Sequence, residues 1–202
     1  MTDRPGEHPD PPSDLANRSP LLYKLEPGTI LSRIHRRDKG PVFFGRTGRN
    51  RFDSPNGSFG VLYLGMDESC AFVETFLQDT GIRVVSRHEL EQRHLAHLEL
   101  TMPLMVIDLS HSGALARIGA DSRLFSGSHA IAQRWSTALR DHATKPAGLL
   151  YPARHDPARN ACALYDLPES ALRVTRVGSL LEPKRATVLA DILDRYDLGL
   201  ID

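Results

Sequence analysis

The sequence predicts a single α+β domain, a compact mixed sheet with flanking helices. Strand-type and helix-type segments mix along the chain without the strict alternation of a doubly wound sheet. The 202 residues are 41% hydrophobic and 25% charged, which suits one soluble domain able to bury a core. No repeat or internal linker interrupts residues 20–202, which read as one unit.

Residues 1–19 are proline-rich, and Leu15 is their one sizeable aliphatic side chain. Burial there offers little against the entropy of ordering, so a flexible tail is expected. Gly28 to His35 alternates loosely and suits a first strand. From Arg36 to Gly60 the chain is rich in Arg, Lys, Gly, Asn and Pro, with an apolar island at Val42-Phe43-Phe44. A long loop or hairpin follows from that composition, and such loops tend to carry function. Val61 to Leu64 reads as a short strand whose alternation sets the Tyr63 ring opposite Leu62 and Leu64.

Asp67 is a good N-cap for the next helix, whose apolar face is Cys70, Val73, Phe76 and Leu77, with a stop at Thr80-Gly81. Glu74 lies one turn from both Cys70 and Leu77, so it borders the buried face and needs a partner there. Ile82 to Val85 reads as a strand, and Ser86-Arg87-His88-Glu89 has capping-box spacing for a short helix. Leu95 to Leu100 and Leu104 to Leu109 are further strands, and Ala114 to Ile118 holds one or two helical turns. A longer helix begins near Ser128, with Ile131, Trp135, Ala138, Leu139 and His142 on one face, and halts before Pro146. Short strands at 148–151, 161–165 and 172–177 precede a final amphipathic helix over 183–196.

Formal net charge is zero, which argues against a protein whose main work is coating nucleic acid or an acidic membrane. Cys70 and Cys162 are too few for a disulfide framework and sit in apolar surroundings, so buried thiols in a reducing compartment are expected. No apolar run reaches membrane-spanning length and the N-terminus lacks a signal-peptide core. A cytoplasmic protein without membrane contact is the expectation.

Arg51, Tyr63 and Glu74 fall on a turn, a strand and a helix in succession. An arginine holds a diphosphate through paired N–H donors and a permanent charge. A tyrosine offers an aromatic platform, although an isolated strand tyrosine is more often a core residue with a satisfied hydroxyl. A half-buried carboxylate stabilises a ribose as it becomes an oxocarbenium ion. Nicotinamide on ribose is a cationic leaving group, so its departure needs no general acid. The plainer reading of Arg51 is a loop brace paired with Asp53. Arg33 is a second candidate anchor or an ordinary edge-strand charge.

The runs Arg51-Phe52-Asp53-Ser54-Pro55, Gly60-Val61-Leu62-Tyr63-Leu64-Gly65 and Ala71-Phe72-Val73-Glu74 resemble the signature of the RES domain family, the toxin half of many bacterial toxin–antitoxin pairs. The likeness extends from about Leu31 through Asp166. It takes in the helix Ala130 to Leu139, the stretch Ala147-Gly148-Leu149-Leu150-Tyr151-Pro152-Ala153-Arg154, and Cys162-Ala163-Leu164-Tyr165. The resemblance implies a fold similar to ADP-ribosyltransferases and an activity that consumes NAD as substrate, with no separate cofactor. Cleavage of the nicotinamide–ribose bond would use water or phosphate as acceptor. Carried onto this chain, Arg51 anchors the diphosphate with help from Arg33, Tyr63 packs on the nicotinamide ribose, and Glu74 stabilises the oxocarbenium. Many family members carry a serine where this chain has Ala153, which leaves Arg154 or His155 as a replacement donor beside the substrate. The resemblance also implies a cognate antitoxin, often a helix-turn-helix DNA-binding protein; it leaves a homo-oligomer open.

Two other functions compete. Arg33, His35, Arg36, Arg37, Lys39, Arg46, Arg49 and Arg51 form a local basic cluster around Phe43 and Phe44, which would suit a nucleic-acid-binding module. Transfer of ADP-ribose onto a protein would use the same three-residue site. The nine histidines form no zinc spacing: His94 and His97 read as surface residues, and no metal is expected. His155 beside Asp156 is a candidate pair, and Asn160 reads as a turn residue. No glycine-rich dinucleotide fingerprint or P-loop is present.

Overall fold

The computed structural model describes residues 9–77, 81 and 83–202. Among them the strands are β1 (Leu22–Leu25), β2 (Ile30–Arg36), β3 (Val61–Gly65), β4 (Val84–Ser86), β5 (Arg93–Leu100), β6 (Leu104–Asp108), β7 (Gly148–Ala153), β8 (Asp156–Tyr165), β9 (Leu172–Gly178) and β10 (Gly199–Ile201). The helices are α1 (Glu68–Phe76), α2 (Arg87–Glu91), α3 (Ala114–Ile118), α4 (Arg123–Ser126), α5 (His129–Arg140) and α6 (Ala186–Arg195).

The described residues form an eight-stranded sheet in the order β1-β6-β7-β8-β3-β2-β5-β9, and β10 pairs with β4 in a small parallel pair. Neighbours in the large sheet are antiparallel except β6 and β7, which run parallel because α3, α4 and α5 carry the chain across between them. This mixed arrangement is the α+β class expected from the irregular alternation of elements.

Two-residue periodicity sorts the side chains of the sheet onto two faces. On one, Ile131, Trp135 and Leu139 of α5 pack on Leu149, Tyr151, Ala161 and Ala163 of β7 and β8. The other gathers Leu62 and Leu64 of β3, Leu98 and Leu100 of β5, and Leu104 and Val106 of β6 into one cluster. Strands β5 and β6 lie near opposite ends of the sheet, so the sheet curls until its two halves face each other. A third cluster seats α1 and α6 around Phe72, Leu90, Leu95, Leu189 and Ile192. No helix among the described residues is long and apolar enough to cross a membrane.

Local signals translate into the expected elements. Asp67 caps α1 by accepting a hydrogen bond from the Cys70 N–H at 2.7 Å, and Ser86 caps α2 from the His88 N–H at 3.1 Å. Helix α1 closes at Leu77, whose N–H donates to the Val73 carbonyl. Thr80 and Ile82, expected to help end the helix and start the next strand, lie outside the described residues. His97 corrects its surface reading: its Nε2 meets Glu68 Oε1 at 2.7 Å, because the β5 face carrying it runs past the start of α1.

The expectation of a flexible tail over 1–19 is corrected for residues 9–19. The Trp135 indole N–H donates to the Pro9 carbonyl at 2.8 Å, and Leu15 is buried in the α5 cluster. Residues 1–8 lie outside the described residues. Leu15→Ala is therefore expected to cost about 2 kcal/mol, as for a buried leucine truncated in a core. A denaturant melt checks this, and a midpoint equal to that of the parent chain would mean the segment contributes nothing.

Candidate active site

The site begins where β3 turns into α1. A Cβ at Gly65 would lie 2.6 Å from the Ala71 nitrogen and 2.7 Å from the Asp67 carbonyl oxygen, so a glycine permits the tight hand-over from strand to helix. The helix then carries Glu74 back beside the end of β7. Glu74 Oε1 accepts a hydrogen bond from the Arg154 backbone N–H at 2.9 Å. Burial raises the Glu74 pKa from its ordinary value, although that N–H and the charges of Arg51 and Arg154 pull it down.

Arg51 is held by a loop built around Asp53. The buried Asp53 carboxylate accepts from the Arg49 N–H at 3.1 Å, the Asn50 N–H at 3.0 Å and the Tyr63 hydroxyl at 3.0 Å. The Phe52 N–H in turn donates to the Tyr63 oxygen at 2.9 Å. Tyr63 thus has a satisfied hydroxyl, as a core tyrosine does, yet its ring lines a cleft. Burial and the neighbouring Asp53 push its pKa well above 10.

The brace between Arg51 and Asp53 does not form. The Arg51 guanidinium reaches the other way, and Nη1 donates to the Gly127 carbonyl at 2.9 Å, behind α4. Its pKa is lowered by burial first and by the like charge of Arg154 second, with Tyr151, Glu74 and Tyr63 acting against the fall.

Arg33, Arg51, Tyr63, Glu74 and Arg154 line one cleft of about 290 Å³. That is near the lower end for ligand pockets, roughly 300–1,000 Å³. Among the described residues that line it, Glu74 is the sole acid. Arg33 is there for a different reason than expected. Its Nη1 donates to the Pro41 carbonyl at 2.6 Å, so it pins the 37–60 loop to β2, and burial lowers its pKa to about 10. Arg36 pairs with Asp38 at 3.0 Å and Arg46 with Asp166 at 2.7 Å. Much of the basic cluster is therefore engaged within the fold, which disfavours an open phosphate-binding surface.

Ala153 does not line the cleft around Glu74. A register shift between Pro152 and Ala153 bends β7, and the Ala153 methyl is buried in the α5 cluster, lining an adjoining cavity instead. Arg154 and His155 do reach the cleft wall. The residue the sequence reading passed over is Tyr151. It points the same way as Tyr63, its ring meets Phe52 edge-on at 4.9 Å, and burial together with Glu74 raises its pKa well above 10. The two-residue period of β7 was the available signal. Cys70, close below Glu74, is no nucleophile: burial and the nearby acids push its thiol up to about 12.

Chemically the described lining of the cleft supplies one partly desolvated carboxylate, two phenols and three arginines. Among the described residues that line the cleft there is no second carboxylate to form the pair of acid–base glycoside cleavage. A single carboxylate suffices where the leaving group is already cationic and departs neutral.

The RES domain model matches residues 30–185 of the chain. A probable toxin of Sinorhizobium fredii, y4kH, is 34% identical over 114 residues, spanning 56% of this chain and 87% of that protein. A chain in the crystal structure of the M. tuberculosis MbcT–MbcA toxin–antitoxin complex superposes with a TM-score of 0.64 at 17% identity, covering 83% of this chain and 92% of the other. At that identity the likeness is one of fold.

Proposed function

Because the chain belongs to the RES domain family, we propose that it is the toxin of a toxin–antitoxin pair and degrades NAD by cleaving the nicotinamide–ribose bond. The observation that carries this reading is the convergence of Arg51, Tyr63 and Glu74, from a loop, a strand and a helix, on one cleft whose sole acid among the described residues is Glu74. In the proposed reaction Arg51 anchors the diphosphate, and the Tyr63 ring packs on the nicotinamide ribose. The C–N bond breaks with its electron pair going to the pyridinium, which leaves as neutral nicotinamide. Glu74 stabilises the positive charge left on the ribose. Water then adds to give ADP-ribose and a proton, or phosphate adds to give the sugar phosphate.

The relative named as a probable toxin and the fold neighbour from a toxin–antitoxin complex support a cognate antitoxin as partner. The proposed partner is a helix-turn-helix protein, as the family resemblance implies, and the proposed place of action is the cytoplasm.

Purified protein incubated with NAD, with and without phosphate, tests the reading by product identification. Nicotinamide release is expected in both arms, and intact NAD after prolonged incubation with folded protein would overturn it. The rate should also fall on the acid side, because protonated Glu74 no longer stabilises a cation. Since Glu74 is raised from the usual 4.5, the acid limb is expected above that value. A rate that stays flat as the pH falls to 4.5 would contradict the role of the carboxylate.

A further inference from the structure

The cleft around Glu74 is small for a dinucleotide, and a second cavity of about 570 Å³ adjoins it. The two share Phe125, Pro152 and Arg154 as walls. The second cavity is mostly apolar, formed by Leu109, Leu115, Ala116 and Ala120 with the Phe125 ring at its edge. Phe125 lies nearly parallel to Tyr151, at 20° and 6.5 Å between centroids, so an aromatic surface continues from one cavity toward the other. Arg154 walls both cavities, and Arg51 lines the first. Arg154 is exposed, and Arg51 is tied through Gly127 to the segment bearing Phe125.

We propose that the second cavity holds the adenosine half of the dinucleotide, with the diphosphate bridging Arg51 and Arg154. Each part meets a suitable surface: a flat, weakly polar base on Phe125 and the aliphatic wall, and a dianion between two like charges. The repulsion between Arg154 and Arg51, which contributes to the lowered pKa of Arg51, is relieved when an anion lies between them. The cleft then takes only the nicotinamide ribose, which matches its size. This assignment rests on the NAD reading and sharpens it into a preference for the dinucleotide over nicotinamide mononucleotide, which lacks the adenosine half.

The test is to fill the second cavity at positions exposed on its wall, Ala116→Trp and, separately, Ser122→Trp, and to titrate ADP, NAD and nicotinamide mononucleotide by calorimetry. The background is the full chain carrying Glu74→Gln. ADP is expected to bind the parent, and each filling variant to weaken ADP and NAD about tenfold or more. The NAD-to-mononucleotide affinity ratio should fall by the same factor. Unfilled-like affinities for ADP and NAD, equal weakening of all three ligands, or no ADP binding to the parent would each overturn the assignment. The two readings separate cleanly. With Glu74 restored, NAD cleavage that ignores the filled cavity sinks this proposal alone, whereas ADP binding that the tryptophans abolish in a protein that never cleaves NAD sinks the reaction alone. Circular dichroism and melting of each variant establish that the fold is kept, and concordance of two variants on different segments guards against a local packing effect.

Discussion

Glu74→Gln is expected to lower nicotinamide release by roughly 10²–10³-fold, the usual cost of removing a group aimed at charge that develops in the transition state. The amide keeps the shape of the acid, and its oxygen can still accept the Arg154 N–H. What is lost is the negative charge beside the ribose. Stability should move in the opposite direction. Burial holds the folded-state pKa of Glu74 above its usual 4.5, so between the two values the folded chain binds more protons than the unfolded one. Stability contributed by this group is therefore present at low pH and is lost as pH rises through the folded-state pKa. Glutamine mimics the protonated acid, so the variant should melt at or above the parent's temperature at pH 7, and the gap should close toward pH 4. Wild-type nicotinamide release in the variant would remove Glu74 from the chemistry. A Tm well below the parent's at pH 7 would instead make it a structural ion partner.

How much of this was readable in the chain depends on the range of the interactions involved. The placement of Glu74 follows from local rules: Asp67 caps α1, and the 3.6-residue period then sets the acid at the margin of the buried face. Tyr63 follows from the two-residue period of β3 in the same way. These are decisions made within a few residues, so the sequence carries them. Where a guanidinium points is not such a decision. Arg33 on β2 and Arg51 in the loop after it line the same cleft, yet one closes on Pro41 and the other on Gly127, 76 residues from Arg51 in the chain. Nothing near Arg51 distinguishes a brace to Asp53 from a latch to α4.

The missed elements have the same origin. Strand β1 is an edge strand with three of its four residues exposed, so it has no clean alternation, and β10 is three exposed residues paired with β4. The segment 9–19 lacks any period. It is ordered by distant contacts that its composition does not announce, among them Leu15 in the α5 cluster, Pro9 on the Trp135 indole and Asp10 paired with Arg134. That Ala153 turns from the Glu74 cleft to the adjoining cavity is hidden in the sequence, because a bulge in β7 cannot be seen in a run such as Tyr151-Pro152-Ala153 until its partner strand fixes the register.

The second large effect is expected at Asp53, where fold and site share one residue. Asp53→Ala removes the acceptor for the Arg49 and Asn50 N–H groups and for the Tyr63 hydroxyl at a fully buried position. Leaving these part-buried donors unmet and emptying the buried carboxylate site costs about 3 kcal/mol, or on the order of 10 °C in Tm for a chain of this size. The loop that carries Arg51 and the ring that lines the cleft lose their common anchor, so nicotinamide release should fall even well below the melting transition. Asp53→Asn separates the causes: its amide keeps one acceptor oxygen, and the variant is expected to recover part of both stability and rate. Tyr63→Phe removes the hydroxyl but leaves the ring, and with the loop still tied by the two N–H groups it should lose far less than Asp53→Ala. Equal losses in Tyr63→Phe and Asp53→Ala would place the function of this hub in the phenol itself. A parent-like Tm and rate in Asp53→Ala would mean that the loop is held by its other bonds, Gln133 to the Gly48 and Asn50 carbonyls and Ser136 to the Phe52 carbonyl.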